Sequence, residues 1–210
     1  MKSDLKPFIF DLETLGGAPH GIIVSAAFIA FDFNTDETFQ DLVSKALYIK
    51  FNAKEQKQLG RAADKSTIEW WKKQSPEAQA KIIPSNDDVS VNDAIDLIVD
   101  YFKAHKLTQR NSIGFCRGQS FDFPLITDLF KCVNRENEWP NNFWNQRDTR
   151  TYIGTMLGKI DIREVPLPKG TINGFIAHDP VHDIAKDIIT MKFAEKYAFG
   201  EVEIPNGKDL

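Results

Sequence analysis

Cysteine is nearly absent: Cys116 and Cys132 are the only two in 210 residues. They have neither the spacing of a zinc site nor the partners for a disulfide framework, and they read as reduced core thiols of an intracellular, cytoplasmic protein. Long hydrophobic runs are missing too. No stretch approaches the roughly 20 apolar residues that cross a bilayer, and Met1 to Pro7 carries no apolar signal segment, so no membrane partner is expected. An excess of one charge is also lacking. The 26 basic residues face 30 acidic ones, for a formal net charge of −4. That balance implies no general polyanion-binding surface. It leaves open an acidic protein that meets a polyanion only at a metal site, where bound ions supply positive charge locally. No repeat, low-complexity tract or linker divides the chain. Its 42% hydrophobic content suffices for one substantial core, so a single domain over 1–210 is expected.

What is present reads as a mixed α/β chain. Pro7 to Phe10 opens a strand, Ile22 to Phe33 reads as a second and Phe39 to Phe51 as a third. The short connections between them predict an antiparallel meander. Ser66 is a candidate N-cap for a helix over Thr67 to Gln74, ending near Ser75-Pro76. Ser90 to Asp93 opens an amphipathic helix with Ala94, Ile95, Ile98, Val99 and Phe102 on its buried side. A short apolar strand over Ser112 to Cys116 follows, then a helix from about Asp122 to Val133. Asn141 to Arg147 reads as a further strand, Thr149 to Leu157 as a helix, and Pro180 to about Phe199 as the last helix.

Three stretches carry chemistry. In Phe8-Ile9-Phe10-Asp11-Leu12-Glu13, strand alternation points Asp11 and Glu13 to one face and Leu12 to the other. Two adjacent carboxylates either face water at a sheet edge or hold a cation, and hard oxygen ligands favour Mg²⁺ or Mn²⁺. In Gly114 to Leu125 a buried strand exits into a polar loop with Asp122 at the start of the next helix and Pro124 in its first turn. N-capping explains an isolated Asp there. The loop nevertheless lies at the carboxyl end of its strand, where open α/β sheets place ligand sites. In Ala177 to Asp187, two His-to-Asp pairs share one spacing: His178 with Asp183, and His182 with Asp187. Pro180 in the first turn, with Asp179 capping, leaves His178 on the loop ahead of the helix and locks His182 onto it. A general base gains from a loop and a metal carboxylate from a rigid helix, which favours His178 and Asp183. Asp187, one turn on, is either an acceptor behind the site or a solvated acid.

Asp11-Leu12-Glu13-Thr14, Ser120-Phe121-Asp122 and His178-Asp179-Pro180-Val181-His182-Asp183, in that order, resemble the three motifs of the DEDDh 3′→5′ exonucleases. Thr67 to Ala78, with its Glu69-Trp70-Trp71, and Trp144 to Thr151 resemble the subgroup of phage exonuclease A (DexA) and related bacterial exoribonuclease-like proteins. The resemblance spans about Phe8 to Tyr197. It departs from the family at Pro180, where Ala is usual, and upstream in the second motif, where only Arg117 or Gln119 represents a polar residue.

The resemblance implies a ribonuclease H-like mixed sheet, its first three strands antiparallel and the later ones parallel, flanked by helices. It implies two Mg²⁺ or Mn²⁺ ions, with Asp11 bridging, Glu13 and Asp183 completing one site, Asp122 holding the other and His178 as general base. It implies release of nucleoside 5′-monophosphates from single-stranded nucleic acid. DNA is slightly favoured over RNA, and the place of action would be the host cytoplasm were the chain phage-encoded. Thr14, Leu15, Gly16 and Phe121 are its candidate substrate contacts, and its dimerising members leave a homodimer open. A Mg²⁺-dependent phosphohydrolase acting on small phosphoesters, an exoribonuclease, or a silent binding module are the other readings. Trp70 and Trp71 point about 100° apart on a helix, so one belongs to the core and the other to a groove or contact. Lys72, Lys73, Arg147 and Arg150 are candidate phosphate contacts or surface charges. Asp148 reads as an N-cap, and His20 and His105 as surface histidines.

Overall fold

The computed structural model describes residues 4–86, 88–160 and 164–205. Strand β1 (Lys6–Thr14) is the middle of a five-stranded sheet. Strand β2 (Ile23–Ala30) lies antiparallel to β1, and β3 (Leu47–Lys50) antiparallel to β2. On the other side β4 (Ser112–Cys116) is parallel to β1, and β5 (Gln146–Asp148) is parallel to β4. The order β3-β2-β1-β4-β5 is the ribonuclease H-like arrangement, with the antiparallel half first.

Alternation along β1 builds two cores. Phe8, Phe10 and Leu12 enter a cluster with Ile95, Ile98 and Phe102 of α5 (Val91–Ala104) and Phe123 and Ile126 of α6 (Gln119–Cys132). Phe8 meets Phe102 edge-on at 4.7 Å, and Phe10 meets Phe123 at 4.8 Å. Truncating a fully buried aromatic of this kind costs about 3–5 kcal/mol. Ile9 enters the opposite cluster with Ile184, Ala185 and Ile188 of α8 (Pro180–Ala198). Asp11 and Glu13 share the Ile9 face by period two, so the acidic end of β1 runs under the helix that carries Asp183 and Asp187.

Several elements differ from the sequence reading. Residues 39–51 are not one strand: α1 (Phe39–Lys45) precedes β3. Thr38 and Asp41 form a capping box, and Phe39, Leu42, Val43 and Ala46 follow helical spacing, a period hidden by their high apolar content. Ser66 is inside α3 (Lys65–Trp71), whose N-cap position belongs to Asp64. Beyond α3 the chain re-enters a helix, α4 (Pro76–Ile82), with Ser75 accepting from the Ala78 N–H. Helix α6 begins at Gln119, so Asp122 is in its first turn rather than at its cap, and Pro124 lies within it. Pro124 therefore cannot donate to the Ser120 carbonyl. Val99 is only half-buried on α5, and Asn141 to Arg147 contributes just the start of β5, after a 3₁₀ turn over Phe143–Asn145. Helix α2 (Ala53–Gln58), α7 (Thr149–Met156) and α8 complete the architecture. Asp148 caps α7 by accepting from the Thr151 N–H at 2.8 Å, as read from the sequence.

Candidate active site

Three elements deliver the acids. β1 supplies Asp11 and Glu13, α6 supplies Asp122, and the first turn of α8 supplies Asp183. Their backbones leave room: Asp11 lies opposite Ala27 and Glu13 opposite Ser25 on β2. Glu13 and Asp122 are buried, at 8% and 3% exposure. One ligand atom each from Glu13, His178 and Asp183 lies within 4.8 Å of the others. Asp11 and Asp122 are close enough for their charges to act on the same cluster.

His178 sits in the loop before α8 with φ +62°, a left-handed conformation uncommon outside glycine. Its N–H donates to Asp183 Oδ2 at 3.1 Å, which ties the loop to the acid. The Trp70 ring meets the His178 ring edge-on at 5.0 Å. Trp71 is the core member of the tandem, and its Nε1 donates to the Thr14 carbonyl at 2.8 Å. Asp179 caps α8 through the Val181 N–H and accepts from Lys81 Nζ at 2.8 Å. The α3–α4 segment thus touches the histidine loop at two points. His182 turns away: its Nδ1 accepts from the Ile176 N–H, and its ring packs on Phe39. Asp187 is buried and accepts from Arg117 Nη1 at 2.8 Å and Thr149 Oγ1 at 3.1 Å. It is an acceptor behind the acids, not a solvated charge.

The loop after β1 is tightly held. Gly16 packs so closely that an added Cβ would stand 2.6 Å from the Ala62 carbonyl oxygen. The Leu15 N–H donates to the Ile22 carbonyl, and the Leu15 carbonyl accepts from the Asp64 N–H. Asp64 also accepts from the Gly17 N–H at 2.8 Å. Arg61, which sequence reasoning passed over, is 2% exposed. It donates to the Gly21 and Leu125 carbonyls and to Asp128, joining this loop to α6. A lone Arg after Gly60 offers no pattern that would reveal such a role. Phe121 is partly exposed at 38%. Lys72 pairs with Glu69, and Arg147 donates to the Trp144 and Gln146 carbonyls. Arg150 lies near Asp122 and draws its pKa down. His20 is exposed with Asp128 at 3.1 Å, and His105 rests against Tyr101.

Electrostatics single these acids out. Burial and the charges of Glu13, Asp122, Asp183 and Asp187 hold Asp11 well above the usual carboxylate range. Burial, with Asp183 and Asp122 beside it, pushes Glu13 up to about 9. Burial raises Asp122 to about 7 against the pull of Cys116, the Leu12 backbone and Arg150. Burial and Asp187 raise Asp183 to about 6. Arg150 and Lys186 only partly offset this crowding of negative charge, and a divalent cation would supply the remaining counter-charge. The carboxylate oxygens of Asp11, Glu13, Asp122 and Asp183 are hard donors that fit Mg²⁺ or Mn²⁺, and the His178 ring stands beside them.

The class follows from what the chain is similar to: it is an α/β nuclease of the exonuclease type. The chain belongs to the Rv2179c-like 3′-5′ exoribonuclease domain family, whose model matches residues 6–184. It is 47% identical over 215 residues to the exodeoxyribonuclease of Enterobacteria phage T4, covering 96% of this chain and 94% of that protein. The fold is also that of cell-death related nuclease 4 (CRN-4), with a TM-score of 0.56 at 14% identity over 93% of this chain. The chain spans 64% of the length of CRN-4. Among the described residues no helix is long and apolar enough to cross a membrane.

Proposed function

We propose that residues 1–210 form one 3′→5′ exonuclease domain that releases nucleoside 5′-monophosphates from single-stranded nucleic acid, with DNA slightly favoured over RNA. The observation that carries this reading is that Glu13 of β1 meets Asp183 of α8 and the loop histidine His178, with the charges of Asp11 and Asp122 acting on the same cluster. Asp11, Glu13, Asp122 and Asp183 would hold two Mg²⁺ or Mn²⁺ ions. Bound there, the ions supply Lewis acidity that lowers the pKa of the attacking water and stabilises the leaving 3′ oxygen.

The residues around them do the rest. His178 accepts the proton of the attacking water, its ring standing beside Glu13 and Asp183 while its backbone N–H holds Asp183. Trp70 bounds the ring on one side. Asp187, held by Arg117 and Thr149, backs Asp183 from within the fold. Thr14, Leu15 and Gly16 receive the terminal nucleotide, Leu15 against the base, while the Leu15 N–H stays bonded to the Ile22 carbonyl. Phe121 offers a further stacking surface.

The lean toward DNA is supported by the extent of the likeness to a protein named exodeoxyribonuclease, against a family model named for exoribonuclease. Discrimination requires a contact that senses the 2′ hydroxyl. Matched DNA and RNA strands, labelled and digested with Mg²⁺ or Mn²⁺, test both points. Stepwise release of mononucleotides from the 3′ end, faster on DNA, is expected. Hydrolysis of free phosphomonoesters with both strands left intact would overturn the exonuclease reading.

A further inference from the structure

A second concavity opens where α6 begins beside β5. Gly118, Gln119, Phe143, Gln146 and Arg150 line it. Arg150 also lines the cleft that contains Asp11, Glu13 and His178, so its guanidinium stands where the two join. A Cβ on Gly118 would lie 3.9 Å from both Arg150 Nη1 and Asp122 Oδ2. The junction is therefore immediately beside the acidic cluster.

Phe143 lines this concavity and Trp144 follows it in the chain; the two rings are 75% and 60% exposed. They pack edge to face with ring centroids 4.9 Å apart and belong to neither buried cluster among the described residues. Two neighbouring aromatics left in water forgo the burial that such side chains contribute to a fold, so packing does not explain them. Their turn is braced rather than loose: Arg147 Nη1 donates to the Trp144 and Gln146 carbonyls at 2.9 and 2.8 Å. In a chain of net charge −4, Arg147 bonds the Trp144 carbonyl and Arg150 lines the same concavity as Phe143. Exposed aromatic rings with an arginine in the same concavity match a strand of stacked bases and phosphates.

We propose that Phe143 and Trp144 form a stacking platform for bases of a single strand on the 5′ side of the terminal nucleotide. Arg150 holds a phosphate between that platform and the acidic cleft. The proposal rests on the exonuclease reading for what occupies the cleft. It adds a path by which the rest of the strand leaves, and it makes affinity depend on strand length.

The test is equilibrium binding by fluorescence anisotropy, with Ca²⁺ in place of Mg²⁺ and with a labelled deoxydecamer and a labelled dinucleotide. Replacing both rings (Phe143→Ala with Trp144→Ala) weakens decamer binding about tenfold or more, as the loss of one or two stacked bases requires. The preference for decamer over dinucleotide falls by the same factor. Phe143→Tyr with Trp144→Phe, which keeps two aromatic faces, retains the preference. Unchanged decamer binding in the alanine pair overturns the platform, and so does equal weakening for both lengths. A change from dimer to monomer on sedimentation of the alanine pair also overturns it, by making the rings an interface between copies. Binding and turnover separate the two ideas. Length-dependent binding without mononucleotide release would sink only the exonuclease reading, and release with length-blind binding would sink only the platform.

Discussion

In the metal-free protein, raising the pH from 5 to 8 should destabilise the fold, and Mg²⁺ should reverse the loss. Asp122 sets the scale, because burial lifts it from 3.8 to about 7. Between pH 4 and 7 the folded Asp122 keeps a proton that the unfolded chain releases, so rising pH favours unfolding. Because Asp122 is half ionised by pH 7, the two pH units from 5 to 7 correspond to about 2 kcal/mol, at about 1.4 kcal/mol per full unit. For a chain of this length, that lowers Tm by about 4–8 °C. Asp183, raised to about 6, completes its share earlier, and Glu13, raised to about 9, extends the decline upward. Divalent cations bind the ionised carboxylates of the folded state and so gain affinity as protons leave. Thermal unfolding followed by circular dichroism, in EDTA and in Mg²⁺ across this range, reads both effects. A Tm in EDTA that holds steady or climbs from pH 5 to 8 would refute the reasoning, as would identical profiles with and without Mg²⁺. Asp122→Asn should make the EDTA profile shallower between pH 5 and 7, leaving the slope that Glu13 and Asp183 contribute.

Three substitutions probe the surroundings. His178→Ala should lower kcat by about 10²-fold or more, the range of general-base catalysis, while Mg²⁺ binding measured by calorimetry persists; a fully active variant would remove His178 from the role of base. Gly16→Ala puts a Cβ 2.6 Å from the Ala62 carbonyl oxygen, so the loop must move; a raised KM and a stability loss of about 1–3 kcal/mol in urea unfolding are expected. Arg117→Leu removes the cation from buried Asp187 and leaves it the Thr149 hydroxyl, which should cost about 2 kcal/mol by the same unfolding assay.

The parts of this molecule legible in its sequence are those written in short-range physics. Strand alternation placed Asp11 and Glu13 on one face and Leu12 on the other, and the sheet shows Phe8, Phe10 and Leu12 in one core and Ile9 in the other. Pro180 after Asp179 marked the start of α8, and that boundary put His178 on the loop. The apolar stretch from Phe39 has the content of a strand but the period of a helix, and the capping box of Thr38 and Asp41 is the local signal of that helix. The reach of Lys81 to Asp179 and of Arg61 to Asp128 was not legible. Each joins segments far apart in the chain, and an isolated cation carries no mark of its partner. The tandem tryptophans fall between these cases: helix geometry demanded that they part, but only the packed fold shows that Trp71 is buried under Thr14 and Trp70 meets His178.

The most direct measurement is a calorimetric titration of Mn²⁺ into the metal-free protein at pH 8, alongside Asp11→Ala. Two ions per chain are predicted for the wild type, with binding at both sites severely weakened in the variant, because Asp11 is the carboxylate assigned to both. A wild-type chain that takes up no divalent ion, or an Asp11→Ala variant that binds two as tightly, would contradict the account.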